Sequence, residues 1–499
     1  LKNAYITAKI IEPALPPKIL HRAVLVKRLS EIIAEASDTS SSHYKLVLLC
    51  APPGYGKTTL LVDFAKHTNI ICCWYLLDRT DADKITFLET LLASIRYRFP
   101  TFGKALDSLL LGARPIDNNH PVESQYFEAV IDALVLAITT EITERFAILL
   151  CNYHELNSNQ TINALVNQLL QKLPPHCILI IESRTVPDLD FAPLLIPPRT
   201  SSLNSNVLRF TTQEIRDLAH LQGVAPLSDV EIEQLATLFD GWIAGILLGI
   251  CLEDIGFLYN RLDFHISKES PAVYVNQQKL FSHLVNETFK REPDVYDILK
   301  DTAVLQQIPP SLCGIFLGLT VTEASARFRR LEQQGLFVTH SGDDSQVIYT
   351  CHPVLRDFLC EELRSQSPAR FKALHRRAAE LWHNSQDYDQ AIYHAFEASA
   401  YDLAADLIIE IHEQMFVQGR TETLARWIDE LPEQTTANRL KLLLIRIKVH
   451  LMIGEHTHAY LLLDKVSTIL THQPLTIKNI SLLQAESYLL RSKVLFLGG

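Results

Sequence analysis

A chain of 499 residues that is 47% hydrophobic has room for three or four packed domains and does not belong to the disordered class. A formal net charge of −11 argues against a surface that grips nucleic acid through bulk positive charge. Nine cysteines, an odd number without C-x-x-C spacing, favour free thiols in a reducing compartment over a disulfide framework or a zinc site.

From the start of the chain, Ala14 to Ile33 carries a proline pair (Pro16, Pro17), a short basic stretch (His21, Arg22, Lys27, Arg28) and a helical pattern through Leu25, Leu29 and Ile33. It reads as an arm packed on the following domain, or as one that closes over a nucleotide base. The polar loop Asp38 to His43 leads into LVLLCAPPGYGKTT, Leu46 to Thr59, around which the rest is organised. Five apolar residues predict a buried parallel strand, and Gly54 and Gly56 allow a turn whose backbone N–H groups face phosphate oxygens. The helix that follows adds its positive dipole end. In this phosphate-binding loop Lys57 is placed for the β- and γ-phosphates and the Thr58 hydroxyl for Mg²⁺. The first position, usually Gly, is Ala51.

Ile70 to Asp78 predicts a second strand, and Phe87, Leu88, Leu91, Leu92 and Ile95 a helix; Phe102 to Pro121 is rich in turn signals and Val122 to Thr140 helical. FAILLC, Phe146 to Cys151, is a third strand, placed where a nucleotide hydrolase carries the carboxylate that holds Mg²⁺. Here the strand runs into Cys151-Asn152-Tyr153-His154-Glu155, without that carboxylate. Asn152 can orient a water but brings no charge, so hydrolysis is expected to suffer more than phosphate binding. CILIIESR, Cys177 to Arg184, offers Glu182 near the ligand-binding end of a fourth strand. Glu182 or Glu155 could replace the lost acid; the blander expectation has Glu182 facing solvent or pairing with a structural Arg. Arg184 is suited to sensing a γ-phosphate.

Beyond the sheet, Gln213 to Leu221 and Asp229 to Leu238 are amphipathic, and Gly241-Trp242-Ile243-Ala244-Gly245 opens a helix with small residues that permit close approach; Trp242 itself is read as core. LFVTH, the polar turn Ser341 to Asp344 and VIYTCH predict the two-stranded wing of a winged helix. Arg327, Arg329 and Arg330 read as a solvated face or a contact to the nucleotide domain rather than a DNA-reading helix. From Arg370 paired helices recur, with a turn at Gly454, in the manner of a tetratricopeptide-like solenoid. The longest apolar run, Gly241 to Leu252, is too short for a bilayer, and no leader opens the chain, so a cytoplasmic protein without membrane contact is expected. Starting without Met and stopping just after an amphipathic helix, the sequence reads as part of something longer.

APPGYGKTTLL, CWYLLDRTDAD, the strand ending in NYHELN, ESRTVPDLDFAPL, VLRFTTQEI and DGWIAGILLG, followed by RFRRLEQQGLFV, YTCHPVLRDFL and LHRRAAELWHNSQDYDQAIYHAFEASAYDLAADLI, resemble in content and order the ATPase module of MalT-like large ATP-binding regulators of the LuxR family, within the STAND class of signal-transduction ATPases. The resemblance implies an α/β P-loop NTPase domain (parallel sheet, helices on both faces), a helical lid, a winged-helix domain and α-helical TPR-like repeats. The divisions run 1–45 for the arm, 46–210, 211–275, 276–368 and 369–499.

The resemblance also implies ATP and ADP with Mg²⁺ as ligands and nucleotide contacts from Pro53, Gly54, Tyr55, Gly56, Lys57, Thr58, Thr59, Arg184 and His352, with Thr58 on the metal; from the residues themselves, Lys57, Asn152 and Glu182 are the expected catalytic group. It implies an ADP-bound closed form and self-association in the ATP-bound form. An unidentified inducer or partner would sit on the helical repeats, and DNA would be bound only through a domain outside this chain. The departure at Cys151-Asn152, where the family carries acidic residues, puts the hydrolytic reset in doubt. The alternative is a nucleotide-binding scaffold, defence protein or enzyme regulator of the same class without a DNA-binding output.

Overall fold

The computed structural model describes residues 8–15, 18–35, 45–112, 124–195, 200–223, 226–250, 285, 293–305, 316–333, 338–341, 348–437, 439–472 and 488–492. Its centre is a five-stranded sheet in the order β2-β3-β4-β1-β5, built from β1 (Leu46–Cys50), β2 (Ile71–Leu76), β3 (Phe146–Cys151), β4 (Cys177–Ser183) and β5 (Thr200–Asn204). Every pairing is parallel, as expected where helices cross between strands and cover both faces.

The unbroken apolar runs follow from that double coverage. In β1, Val47 and Leu49 pack with the helices Ala23–Glu35 and Lys57–His67. Leu46 and Leu48 face the opposite way, against Lys84–Arg98, Ser124–Glu141 and Gln160–Lys172. Asp83 starts the helix Lys84–Arg98 by accepting the N–H groups of Ile85 and Thr86.

One sequence expectation needs correction, and one strand had no counterpart in the sequence reading. A helix, Leu106–Gly112, lies within the stretch read as turns. The fifth strand, TSSLN, had no signal because only Leu203 of its five residues is buried: it is a polar edge strand carried by main-chain pairing to β1. The helix expected over Val122 to Thr140 is observed as Ser124–Glu141, with residues 122 and 123 outside the described residues.

The lid helices Thr212–Gln222 and Asp229–Phe239 each open on a reciprocal capping box, Thr211 with Glu214 and Ser228 with Glu231. The third, Ile243–Ile250, continues the core cluster that includes Val47 and Leu49, and the same cluster runs on through Leu355 and Leu359 of the helix Pro353–Gln366. Sheet, lid and winged helix thus share one apolar interior. The wing is the antiparallel pair β6 (Val338–Ser341) and β7 (Ile348–Cys351); the predicted turn from Gly342 to Asp344 lies outside the described residues. Arg327 and Arg329 are exposed on the helix Val321–Gln333, and the side chain of Arg330 is outside the description.

Helix pairs beginning at Pro368, Tyr401 and Leu440 form the C-terminal stack, with small Ala391, Ala395, Ala404 and Ala405 fully buried where the helices approach. A left-handed Gly454 turns the chain between Leu440–Met452 and His456–His472. No helix among the described residues is long and apolar enough to cross a membrane.

Candidate nucleotide site at the carboxyl edge of the sheet

β1 delivers its loop to the carboxyl edge of the sheet. There Gly54 and Gly56 take φ of 81° and 74°, and the helix Lys57–His67 begins from Gly56 with no side-chain cap on its first N–H groups. An uncapped helix N-terminus under a glycine turn fits an anion, and a nucleotide phosphate is the anion it suits. Thr58 and Thr59 sit half-buried in that first turn, and Tyr55 is buried beneath it.

Lys57 is folded back onto its own loop. Its Nζ donates to the carbonyls of Ala51 (2.8 Å) and Pro52 (3.2 Å) and lies 3.3 Å from Glu182 Oε1. Burial pulls the ammonium below its ordinary pKa, with Glu182 opposing and Arg184 adding to the pull.

Glu182 neither faces solvent nor pairs with a structural Arg. It is 3% exposed, and its second oxygen accepts the Asn152 N–H at 2.8 Å. Register explains the placement. β1 sets Leu49 opposite Glu182, and β3 sets Leu150 opposite Ile181, so Glu182 stands level with Cys151 on the neighbouring strand. Alternation puts Glu182 on the face of Ile180, and Cys151 is on the face of Leu149, both on the side covered by the phosphate-loop helix. A buried carboxylate therefore stands one strand over, level with the end of β3. Asn152 itself adopts the left-handed conformation (φ 61°), which turns its N–H toward Glu182. Glu155 turns instead to Arg79 (3.3 Å), so its candidacy as the replacement acid is not supported.

Arg184 extends from the end of β4 to Asp357 of the winged-helix segment Pro353–Gln366, at 2.6 Å. His352 caps that helix, its Nδ1 accepting the Val354 N–H at 3.3 Å. The His352 ring keeps solvent-exposed surface, yet its crowded surroundings and the Arg184, Arg356 and Lys57 charges pull it toward the neutral form, with Asp357 opposing. The structure thus gathers Pro53 to Thr59, Asn152, Glu182, Arg184 and His352 at one edge.

Sequence reasoning passed over three neighbours. Trp242 is more than core: its Nε1 donates to the Pro53 carbonyl at 3.0 Å, and the Ala244 N–H donates to Gly54 O at 3.1 Å, so the lid rests on the phosphate loop. A Cβ on Gly54 would stand 2.6 Å from Trp242 Nε1, which is why that position needs Gly beyond its φ. Asp357, unremarked in the sequence, holds Arg184. His154 is only 14% exposed, and neither ring nitrogen has a hydrogen-bond partner among the described residues. Burial and the Arg184 and Lys57 charges hold His154 neutral, its pKa pushed down to about 4 against the pull of Glu182.

The MalT winged helix domain family matches residues 287–371. The chain is 25% identical over 483 residues to the HTH-type transcriptional regulator MalT of Serratia proteamaculans, covering 96% of this chain and 50% of the regulator. To the serine/threonine-protein kinase PknK of Mycobacterium tuberculosis it is 25% identical over 468 residues, 93% of this chain and 40% of the kinase. In fold it is similar to a Signal Transduction ATPase with Numerous Domains (STAND) protein with a tetratricopeptide repeat sensor from Pyrococcus horikoshii, with a TM-score of 0.62 at 15% identity, over 97% of this chain and 64% of that one. These matches describe a MalT-like STAND module. The module spans half or less of each curated relative named here.

Proposed function

We propose that this MalT-like module is a nucleotide-operated signalling switch, acting through units 46–210, 211–275, 276–368 and 369–499. ATP and ADP are its ligands, and the observation that carries this reading is the Arg184–Asp357 ion pair at the mouth of the phosphate loop. Arg184 can serve a carboxylate of the winged helix or a phosphate oxygen of the ligand, and it has one guanidinium for both. Pairing with Asp357 favours a closed arrangement; recruiting Arg184 to a phosphate releases the winged helix.

Within the site, Gly54 to Thr59 hold the phosphates by main-chain N–H groups, Lys57 by its ammonium, and the Thr58 hydroxyl takes one position on Mg²⁺. Glu182 is the carboxylate that would take the proton of an attacking water, and Asn152 would position that water. The Mg²⁺ neutralises phosphate charge in such reactions. Because both Glu182 oxygens are engaged, by Lys57 and the Asn152 N–H, hydrolysis is slow, so exchange of ADP for ATP governs the state of the switch. Trp242 and Ala244 carry loop movement into the lid.

The likeness to MalT supports an output on transcription, with DNA bound by sequence beyond this chain, an inducer or partner on the helical repeats, and self-association of the ATP-bound form. A second reading, regulation of another activity without DNA, is favoured by the equally extensive match to PknK. Chromatography of nucleotide released on denaturing the purified chain, with ATP turnover by the same preparation, tests the proposal. Bound ADP and turnover near background are expected. An empty site with brisk turnover would overturn it.

A further inference from the structure

A cluster away from the nucleotide edge bears on none of this chemistry. Asp63 and His67 stand one turn apart on the helix Lys57–His67 and so share a face, and His21 of the N-terminal arm lies across them. His21 Nδ1 is 2.8 Å and His67 Nδ1 3.0 Å from the same oxygen, Asp63 Oδ1, and the two rings lie 4.0 Å apart. The candidate ligand atoms all fall within 4.8 Å of one another. We propose that His21, Asp63 and His67 bind a divalent transition-metal ion of the zinc class, clasping the arm to the helix that carries Lys57 and Thr58.

The donor chemistry selects the ion. Two imidazole nitrogens and one carboxylate oxygen suit zinc, nickel or copper, whereas magnesium and calcium take oxygen ligands. Asp63 is 6% exposed, and its other oxygen accepts the Arg22 N–H at 2.9 Å, which fixes the plane of the carboxylate as an outer-shell partner does in metal sites. The two imidazoles keep 43% and 49% of their side-chain surface open, which leaves an entry path and room for water to complete a tetrahedral shell. Without an ion the short contacts are held by ring protons; His67 Nδ1 is also 2.9 Å from the Asp63 carbonyl. Metal takes the place of those protons.

The clasp reaches further than its three ligands. Arg22, next to His21, donates to the Leu208 carbonyl (2.8 Å), the Arg209 carbonyl (2.9 Å) and Glu214 (2.8 Å), so an ion at this seam would tie the phosphate-loop helix to the root of the lid through the arm.

His450, Glu455 and His458 form a second group with the same donors, at 2.9 and 3.3 Å, and the test must silence it. The full chain carrying His458→Gln is stripped with chelator and titrated with Zn²⁺ by calorimetry and with Co²⁺ by visible absorption. One saturable equivalent, a tetrahedral Co²⁺ spectrum and a higher thermal midpoint with Zn²⁺ are expected. Adding His21→Gln or His67→Gln should remove all three signals while leaving the metal-free circular dichroism unchanged, because both side chains are half exposed. Absence of a saturable equivalent in the His458→Gln chain overturns the proposal, as does a Co²⁺ spectrum that persists when His21 and His67 are both replaced.

Discussion

Glu182→Gln separates the two duties assigned to this carboxylate. Lys57 and Glu182 retain 6% and 3% exposure, and removing one member of a buried ion pair costs about 3–5 kcal/mol when its partner is left uncompensated. The Ala51 and Pro52 carbonyls still accept from Lys57, and the glutamine carbonyl can still accept the Asn152 N–H, which places the loss near the lower bound, about 3 kcal/mol. That loss is local, so the assay is amide hydrogen exchange by mass spectrometry on peptides spanning β1 and the helix Lys57–His67. Opening made easier by about 3 kcal/mol speeds exchange there roughly a hundredfold, with the helical repeats unchanged. Single-turnover ATP cleavage with the chain in excess, slow before the change, should slow further. Unaltered exchange in both segments would refute the packing argument, and unaltered turnover would remove Glu182 from the chemistry.

Gly54→Ala forces a left-handed residue and sets a methyl 2.6 Å from Trp242 Nε1 and 2.8 Å from Ala244 Cβ; backbone strain alone costs about 1–2 kcal/mol, so nucleotide per mole of purified chain should drop sharply. Asp357→Asn frees Arg184 at little cost in stability, roughly 0–1 kcal/mol for a partly exposed pair, and should speed release of a fluorescent ADP analogue in stopped flow. Cys151→Asp buries a second carboxylate on the face already holding Glu182, so it should lower the thermal midpoint, and adding Glu182→Thr should restore it.

In the repeats, His375 and His394 share a 2.9 Å contact, both buried, with the His375 pKa pushed down from 6.5 to about 4 and that of His394 well below 6.5. The unfolded chain takes up these protons near pH 6.5 and the folded chain only near pH 4 or below, so stability is full above pH 6.5 and falls as pH drops toward 4. The slope is about 1.4 kcal/mol per pH unit for each histidine, and His375→Asn should flatten it in denaturation followed by circular dichroism.

What could be read from the sequence was local in origin. β1, its loop and the helix Lys57–His67 are consecutive, so apolar run, glycines and helix signal report one another, and the lid helices show as amphipathic patterns within single segments. β5 was silent because an edge strand with a single buried side chain has no apolar run to show. The placement of Glu182 depends on which strand lies beside which and in what register, information carried by the packing of distant segments. Asp357 meets Arg184 at a separation of 173 positions in the chain, and Trp242 meets Pro53 at a separation of 189, so no periodicity could foretell either contact.

The bond from the Ala244 N–H to the Gly54 carbonyl joins lid and loop by main-chain atoms alone. A survey that trims side chains to alanine would leave it untouched and would score the joint as dispensable. Only a change that deletes the amide proton, Ala244→Pro or an ester in place of that peptide unit, interrogates it. What must persist at this joint is the path of the backbone.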